Sequence, residues 1–241
     1  MTDHVIAHHQ ALDHPSENED KYSRLLLSLS VWPAFPHQVD HKCGKLDADD
    51  WERALALAHI HALTPALYAA VVEGCVGQPV PRLDALKRNY FLHGARSALA
   101  LEELREVSDA IEGEGLRLVI LKGIASILSV YPDPALRALS DLDILVDLPS
   151  LSSSVSALSQ RGYVKIDKAT SAEDEWLTVM YFDGICLHRP RRLPLELHCS
   201  FLGGLGDAAS AVEDAWRDAV KLDAGSWSVR GLAPEHAFIT A

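Results

Sequence analysis

Three acidic residues are spaced for chemistry. In SDLDILVD, Asp141 and Asp143 stand two apart. In a strand such residues share a face, so both carboxylates point one way while Leu142, Ile144 and Val146 fill a core on the other. In LPLELHC the same alternation sends Glu196 and His198 to one face and Leu195 and Leu197 to the opposite one. Aspartate is depleted in strands, and two neighbouring carboxylates repel unless a cation lies between them. Mg²⁺ suits such a site, because it takes one or two carboxylates and fills its octahedron with waters and phosphate oxygens. With the two strands side by side, Glu196 completes a three-carboxylate cluster. Two metals about 3.5–4 Å apart can then activate an attacking oxygen and stabilise a leaving pyrophosphate. The plain alternative is the solvated face of an edge strand.

A second element lies upstream. RLVILKG reads as a short apolar strand running into Lys122-Gly123 and then a helix, IASILSVY. Such a junction brings backbone N–H groups and the positive end of a helix to where phosphates bind, and Gly123 lets the backbone approach closely. Arg137 and Ser140, just before the carboxylates, offer further donors to a triphosphate, the arginine in bidentate fashion.

These residues need elements to hold them. Residues 1–20 are polar and aperiodic and read as a flexible tail, and 21–113 as a helical module. Within it, YSRLLLSLSV is apolar at helical spacing until Trp32-Pro33 breaks it. Asp47 or Asp49 can cap a long helix carrying Trp51, Leu55, Ala58 and Ile60. A second helix runs from Ala66 to Glu73, and a third, strongly helical stretch from Arg82 to Gly113. Residues 114–241 change texture. Strands at LVI and SDLDILVD are followed by a helix at 151–161, a strand at 163–166 and two paired strands, YFDGICLHR and LPLELHCSF, about a basic turn from Arg189 to Pro194. Helical patterns return at 211–220 and 234–240. The last is cut by the end of the sequence, which leaves room for an acceptor-binding part beyond it. The fold class expected is α+β: an N-terminal helical module plus a mixed β-sheet with flanking helices.

Bulk properties narrow the partners. The 241 residues are 48% hydrophobic and carry a formal charge of −12, enough apolar matter for a core. The field repels polyanions, so long nucleic acid is the least attractive partner. Four cysteines without a regular framework, no secretory h-region and no long apolar run give the expectation of a cytoplasmic protein that spans no membrane.

The block LKGIASILSVYPDPALRALSDLDILV, followed by LELH, resembles the uncharacterised nucleotidyltransferase family of the polymerase-β-like superfamily, and the likeness spans about residues 25–240. It implies a nucleotidyltransferase-type mixed sheet and Mg²⁺ (or Mn²⁺) held by Asp141, Asp143 and Glu196. It also implies transfer of a nucleoside monophosphate from a nucleoside triphosphate such as ATP, with release of pyrophosphate. Lys122 and Gly123 would cradle phosphate with Arg137 and Ser140 in support, and His198 would orient an acceptor that is a protein, a peptide or a small molecule. Two features depart from the superfamily pattern. Its Gly-Ser or Gly-Gly turn is Lys122-Gly123 here, and seventeen residues separate Gly123 from Asp141.

Rival readings are a catalytically weak nucleotide-binding or regulatory protein on the same scaffold, and an aspartyl phosphotransferase. The second fits poorly, because its apolar run precedes the first Asp, whereas here it follows. A zinc site from Cys186, His188, His198 and Cys199 is disfavoured, since adjacent strand residues point to opposite faces.

Overall fold

The computed structural model describes residues 17–31, 45–166, 184–200 and 208–239. The expected break at Trp32-Pro33, most of the expected tail and the first residues of the YFDGICLHR strand lie outside them. Among the described residues are eight helices and seven strands. No described helix is long and apolar enough to cross a membrane.

The N-terminal helices form where the apolar spacing predicts. α1 (Glu17–Val31) begins inside the stretch expected as a tail. α2 (Ala48–Ile60) opens on a capping box. Asp50 N donates to Asp47 Oδ1 at 2.8 Å and Asp47 N to Asp50 Oδ2 at 3.2 Å, satisfying N–H groups that a helix start otherwise leaves unpaired. It buries Trp51, Ala54 and Ala58, three to four residues apart. α3 (Thr64–Val72) has Pro65 in its first turn, where the missing N–H costs nothing. α4 (Leu83–Gly113) serves two cores. Leu86 belongs with Leu25, Trp51 and Leu67, whereas Leu104, Val107 and Ile111 lie against the sheet.

The sheet has seven strands: β1 (Leu118–Ile120), β2 (Leu142–Val146), β3 (Val164–Lys165), β4 (Gly184–His188), β5 (Leu195–His198), β6 (Val220–Asp223) and β7 (Ser228–Gly231), in the order β3-β4-β5-β2-β1-β7-β6. β2 runs parallel to β5 and β1 to β7, and the other pairs are antiparallel. The fold is therefore α+β with a mixed sheet. The hairpin of β6 and β7 went unread in the sequence, although VKLD and WSVRG alternate about a turn at Gly225, whose φ of +76° suits glycine.

Helices cover the two faces unequally. On one, Leu142, Ile144, Val146, Leu195 and Leu197 pack against α4, α5 (Lys122–Ser129) and α6 (Leu151–Ser159). On the other, Val119, Leu121 and Leu145 meet Ala215 and Trp216 of α7 (Ala208–Asp218) and Leu232, which precedes α8 (Pro234–Ile239). Asp143 and Glu196 lie on this second face.

Candidate active site

The central strands bring the acidic residues together. Asp143 is in register with Glu196 across the parallel pair β2–β5, and Cys186 of β4 is the next neighbour of Glu196. Asp143 is almost fully buried, and its backbone oxygen accepts from Leu121 N at 2.9 Å, fixing the end of β1 beside it. His198, two residues beyond Glu196, shares its face, as the alternation predicts. A Cβ at Gly184, opposite His198, would lie 2.4 Å from Leu197 O. Only glycine lets β4 approach β5 that closely there.

The side chains converge. Lys122 Nζ donates to Asp143 Oδ1 at 2.6 Å. His198 Nε2 lies 2.9 Å from the same oxygen and 3.4 Å from Glu196 Oε2. Asp143, Glu196 and His198 each offer a ligand atom within 4.8 Å of the other two, so they can share one divalent ion. The donor set fits a hard cation, with carboxylate oxygens first. Asp141 precedes β2 rather than lying in it. It is outside that trio, yet close enough for its charge to act on the Lys122 ammonium. Of the trio, Glu196 is the most open: its side chain is 37% exposed, against 3% for Asp143 and 8% for His198.

The electrostatics are those of an acidic pair-and-cation cluster. Burial pushes the Asp143 carboxyl up, but hydrogen bonds from His198 and Lys122 outweigh it and hold it below the usual aspartate value. Burial likewise lowers Lys122. The hydrogen bond to Asp143 and the charges of Asp143, Glu196 and Asp141 prevail, so its ammonium holds its proton more tightly than usual. Asp143 is therefore ionised and Lys122 charged at neutral pH.

The turn into α5 differs in detail from what the sequence suggested. The left-handed residue is Lys122, at φ 48°, while Gly123 is an ordinary helical residue. A non-glycine residue there costs about 1–2 kcal/mol. Gly123 is buried, and a Cβ on it would meet Leu139 Cδ2 at 2.9 Å and Arg137 Nη2 at 3.8 Å. Its small size thus seats the 137–139 segment against the start of α5, and Arg137 comes with it. That segment is tied to α4 further back. Ser97 Oγ donates to Pro134 O at 2.9 Å, Ala135 N donates to Asp133 Oδ1 at 2.8 Å, and Tyr90 donates its hydroxyl to Asp133. Among the described residues no side chain caps the N-terminus of α5. The N–H groups at the start of α5 and Lys122 accordingly lie at one edge of the acidic cluster, with Arg137 against Gly123. Ser140 is exposed beside it.

Of the residues singled out in the sequence, the structure joins Lys122, Asp143, Glu196 and His198 by direct contact, and Arg137 with Gly123. His198, expected from the sequence to orient an acceptor, is turned towards the two carboxylates; its two-residue spacing from Glu196 gave the shared face, and the fold added the contact with Asp143. Cys199, weighed in the sequence as a zinc ligand, lies apart from the cluster. It lines a separate cavity of about 260 Å³ with Arg117, Asp147, Ser200 and Trp216, and burial, with Asp147 nearby, pushes its thiol up to about 11.

The sequence pattern that defines the uncharacterised nucleotidyltransferases matches residues 47–241. No curated protein and no solved structure matches the chain.

Proposed function

The chain belongs to the uncharacterised nucleotidyltransferase family, and on that premise we propose that it moves a nucleoside monophosphate from a nucleoside triphosphate to an acceptor, releasing pyrophosphate, with Mg²⁺ or Mn²⁺ as cofactor. The observation that carries the reading is the convergence of Asp143, Glu196 and His198 within 4.8 Å beside an uncapped helix start. Asp143 and Glu196 would hold the metal, with Asp141 supplying a further carboxylate. When bound, such an ion neutralises phosphate charge and polarises the bond to be broken.

The chain's own residues divide the remaining work. Lys122, Arg137 and the first N–H groups of α5 take the triphosphate, since helix dipole and guanidinium both favour anions. Gly123 keeps Arg137 close, and Ser140 flanks the same edge. His198 holds Asp143 in one orientation through its Nε2 contact. Glu196, the most exposed of the three, would face the acceptor and either help hold the metal or take the proton of the attacking group. The acceptor oxygen forms a bond to the α-phosphorus, the bond to pyrophosphate breaks, and the proton leaves with the base. Protein, peptide and small-molecule acceptors all suit an acidic chain better than long nucleic acid.

One observation favours a second reading, a binding or regulatory protein with little catalysis: a lysine ammonium sits directly on Asp143, the more buried of the trio's two carboxylates. The two are separated by calorimetric titration of ATP, GTP, CTP and UTP with Mg²⁺ on the wild type and on Asp143→Asn, followed by a pyrophosphate-release assay. Metal-dependent binding lost in the variant, with pyrophosphate formed, is expected. Binding without pyrophosphate would favour the regulatory reading, and triphosphate binding indifferent to Asp143 would sink both.

A further inference from the structure

Lys122 combines a strained backbone with an ion pair at one position. Its backbone adopts a φ of 48°, which glycine takes freely and lysine does not. Its ammonium lies 2.6 Å from Asp143 Oδ1, with His198 Nε2 at 2.9 Å from the same oxygen. The charges of Asp141 and Glu196 act on that ammonium as well. Lys122 is thus the direct counter-cation of Asp143, and its side chain, 41% exposed, keeps a route outward.

Resting on the nucleotidyltransferase reading above, we propose that Lys122 is a built-in placeholder for the metal, and that its transfer from Asp143 to the triphosphate makes metal and nucleotide bind as a unit. A carboxylate that already carries an ammonium is a poor ligand for a divalent ion, because two cations on one group repel at such short range. Lys122 must therefore leave Asp143 as that carboxylate turns to metal binding. Without an anion to receive it, the ammonium loses its partner and metal affinity is low. The oxygens of a triphosphate at the start of α5 supply that anion. Metal and triphosphate then strengthen each other's binding by the same factor, as linkage requires. A lysine that merely contacted phosphate would leave the affinity for metal alone untouched.

The test is Mn²⁺ titration, followed by the paramagnetic resonance signal of the free ion, alone and with inorganic tripolyphosphate, which removes any dependence on the base and whose own uptake of Mn²⁺ is measured without protein and subtracted. Wild type is compared with Lys122→Gly, which suits the backbone, and with Lys122→Met, which keeps the stem and removes only the charge. Both variants are expected to bind Mn²⁺ alone about tenfold more tightly than wild type, with a smaller gain on adding tripolyphosphate, a coupling within the usual 5–150-fold range. Mn²⁺ affinity unchanged or weakened in both variants overturns the proposal while leaving the nucleotidyltransferase reading standing. Absence of Mn²⁺ binding in all three chains, with tripolyphosphate present, overturns the two together.

Discussion

Two carboxylate clusters flank the same sheet, and they are balanced in opposite ways. Between α4 and the β4–β5 turn, Glu103 is almost fully buried and accepts from the Tyr163 hydroxyl at 2.6 Å and from Leu193 N at 3.2 Å. One turn on, Glu106 accepts from Arg189 at 2.5 Å and Arg192 at 3.0 Å. Arg189 also lies 4.9 Å over the Tyr163 ring. Every acid there has at least two donors, and the result is a clasp that fixes the hairpin carrying Glu196. On the other face Asp141, Asp143 and Glu196 share Lys122 and His198. A clasp is satisfied by its own residues, whereas an acid-rich cluster gains most from an added cation. Perturbed, crowded charges of the second kind mark sites of chemistry more often than of stability.

Substitutions should separate the two clusters, most strongly at Asp143. Asp143→Asn keeps the shape and removes the charge. It should lower metal-dependent turnover about 10³-fold, the several kcal/mol that metal stabilisation supplies at about 1.4 kcal/mol per factor of ten, with the thermal midpoint nearly unchanged. A variant that unfolds instead would make Asp143 a structural residue and erase the contrast.

Glu103→Ala should do the reverse. Leaving the Tyr163 hydroxyl and Leu193 N–H without their acceptor costs about 2–4 kcal/mol, read as a lower midpoint in urea, while Mn²⁺ binding of the folded fraction persists. His198→Gln tests the second cluster from within. Losing the imidazole that orients Asp143 should reduce turnover about 10–100-fold with little change in stability. An equal loss of stability would place His198 with the clasp.

The smallest effect concerns pH. The hydrogen bond from Arg189 holds the Glu106 carboxyl below its ordinary value of 4.5, against the upward push of burial. A depressed carboxyl contributes stability in full above its unfolded value and loses it as pH falls through the folded one. Wild type should thus weaken below about pH 4.5 more steeply than Glu106→Gln. Acid denaturation curves of identical slope would remove Glu106 from the clasp.

Much of this was legible in the chain. Period-two alternation places Glu196 with His198, and Leu142, Ile144 and Val146 in the core, because strand geometry leaves no other choice once the strands are assigned. Helix spacing and caps located α2, α3 and α4 to within a few residues. The short β6–β7 hairpin escaped because its four-residue strands offer little pattern to a reader moving along the chain. Its place beside β1 depends on a parallel contact more than a hundred residues away in sequence.

Other features depend on neighbours that local sequence does not specify. Asp141 and Asp143 are two apart, yet β2 begins at Leu142, so the shared face of a strand does not extend to Asp141. Gly123 invites a reading of backbone freedom, but the left-handed conformation belongs to Lys122, and the glycine's smallness is filled by Leu139. The residue types and their two-residue rhythm fixed which side chains were available for metal chemistry, since covalent geometry and strand pleat act locally. The strand order, and with it the meeting of Lys122, Asp143, Glu196 and His198, was decided by packing of both sheet faces, a sum over contacts distant in sequence.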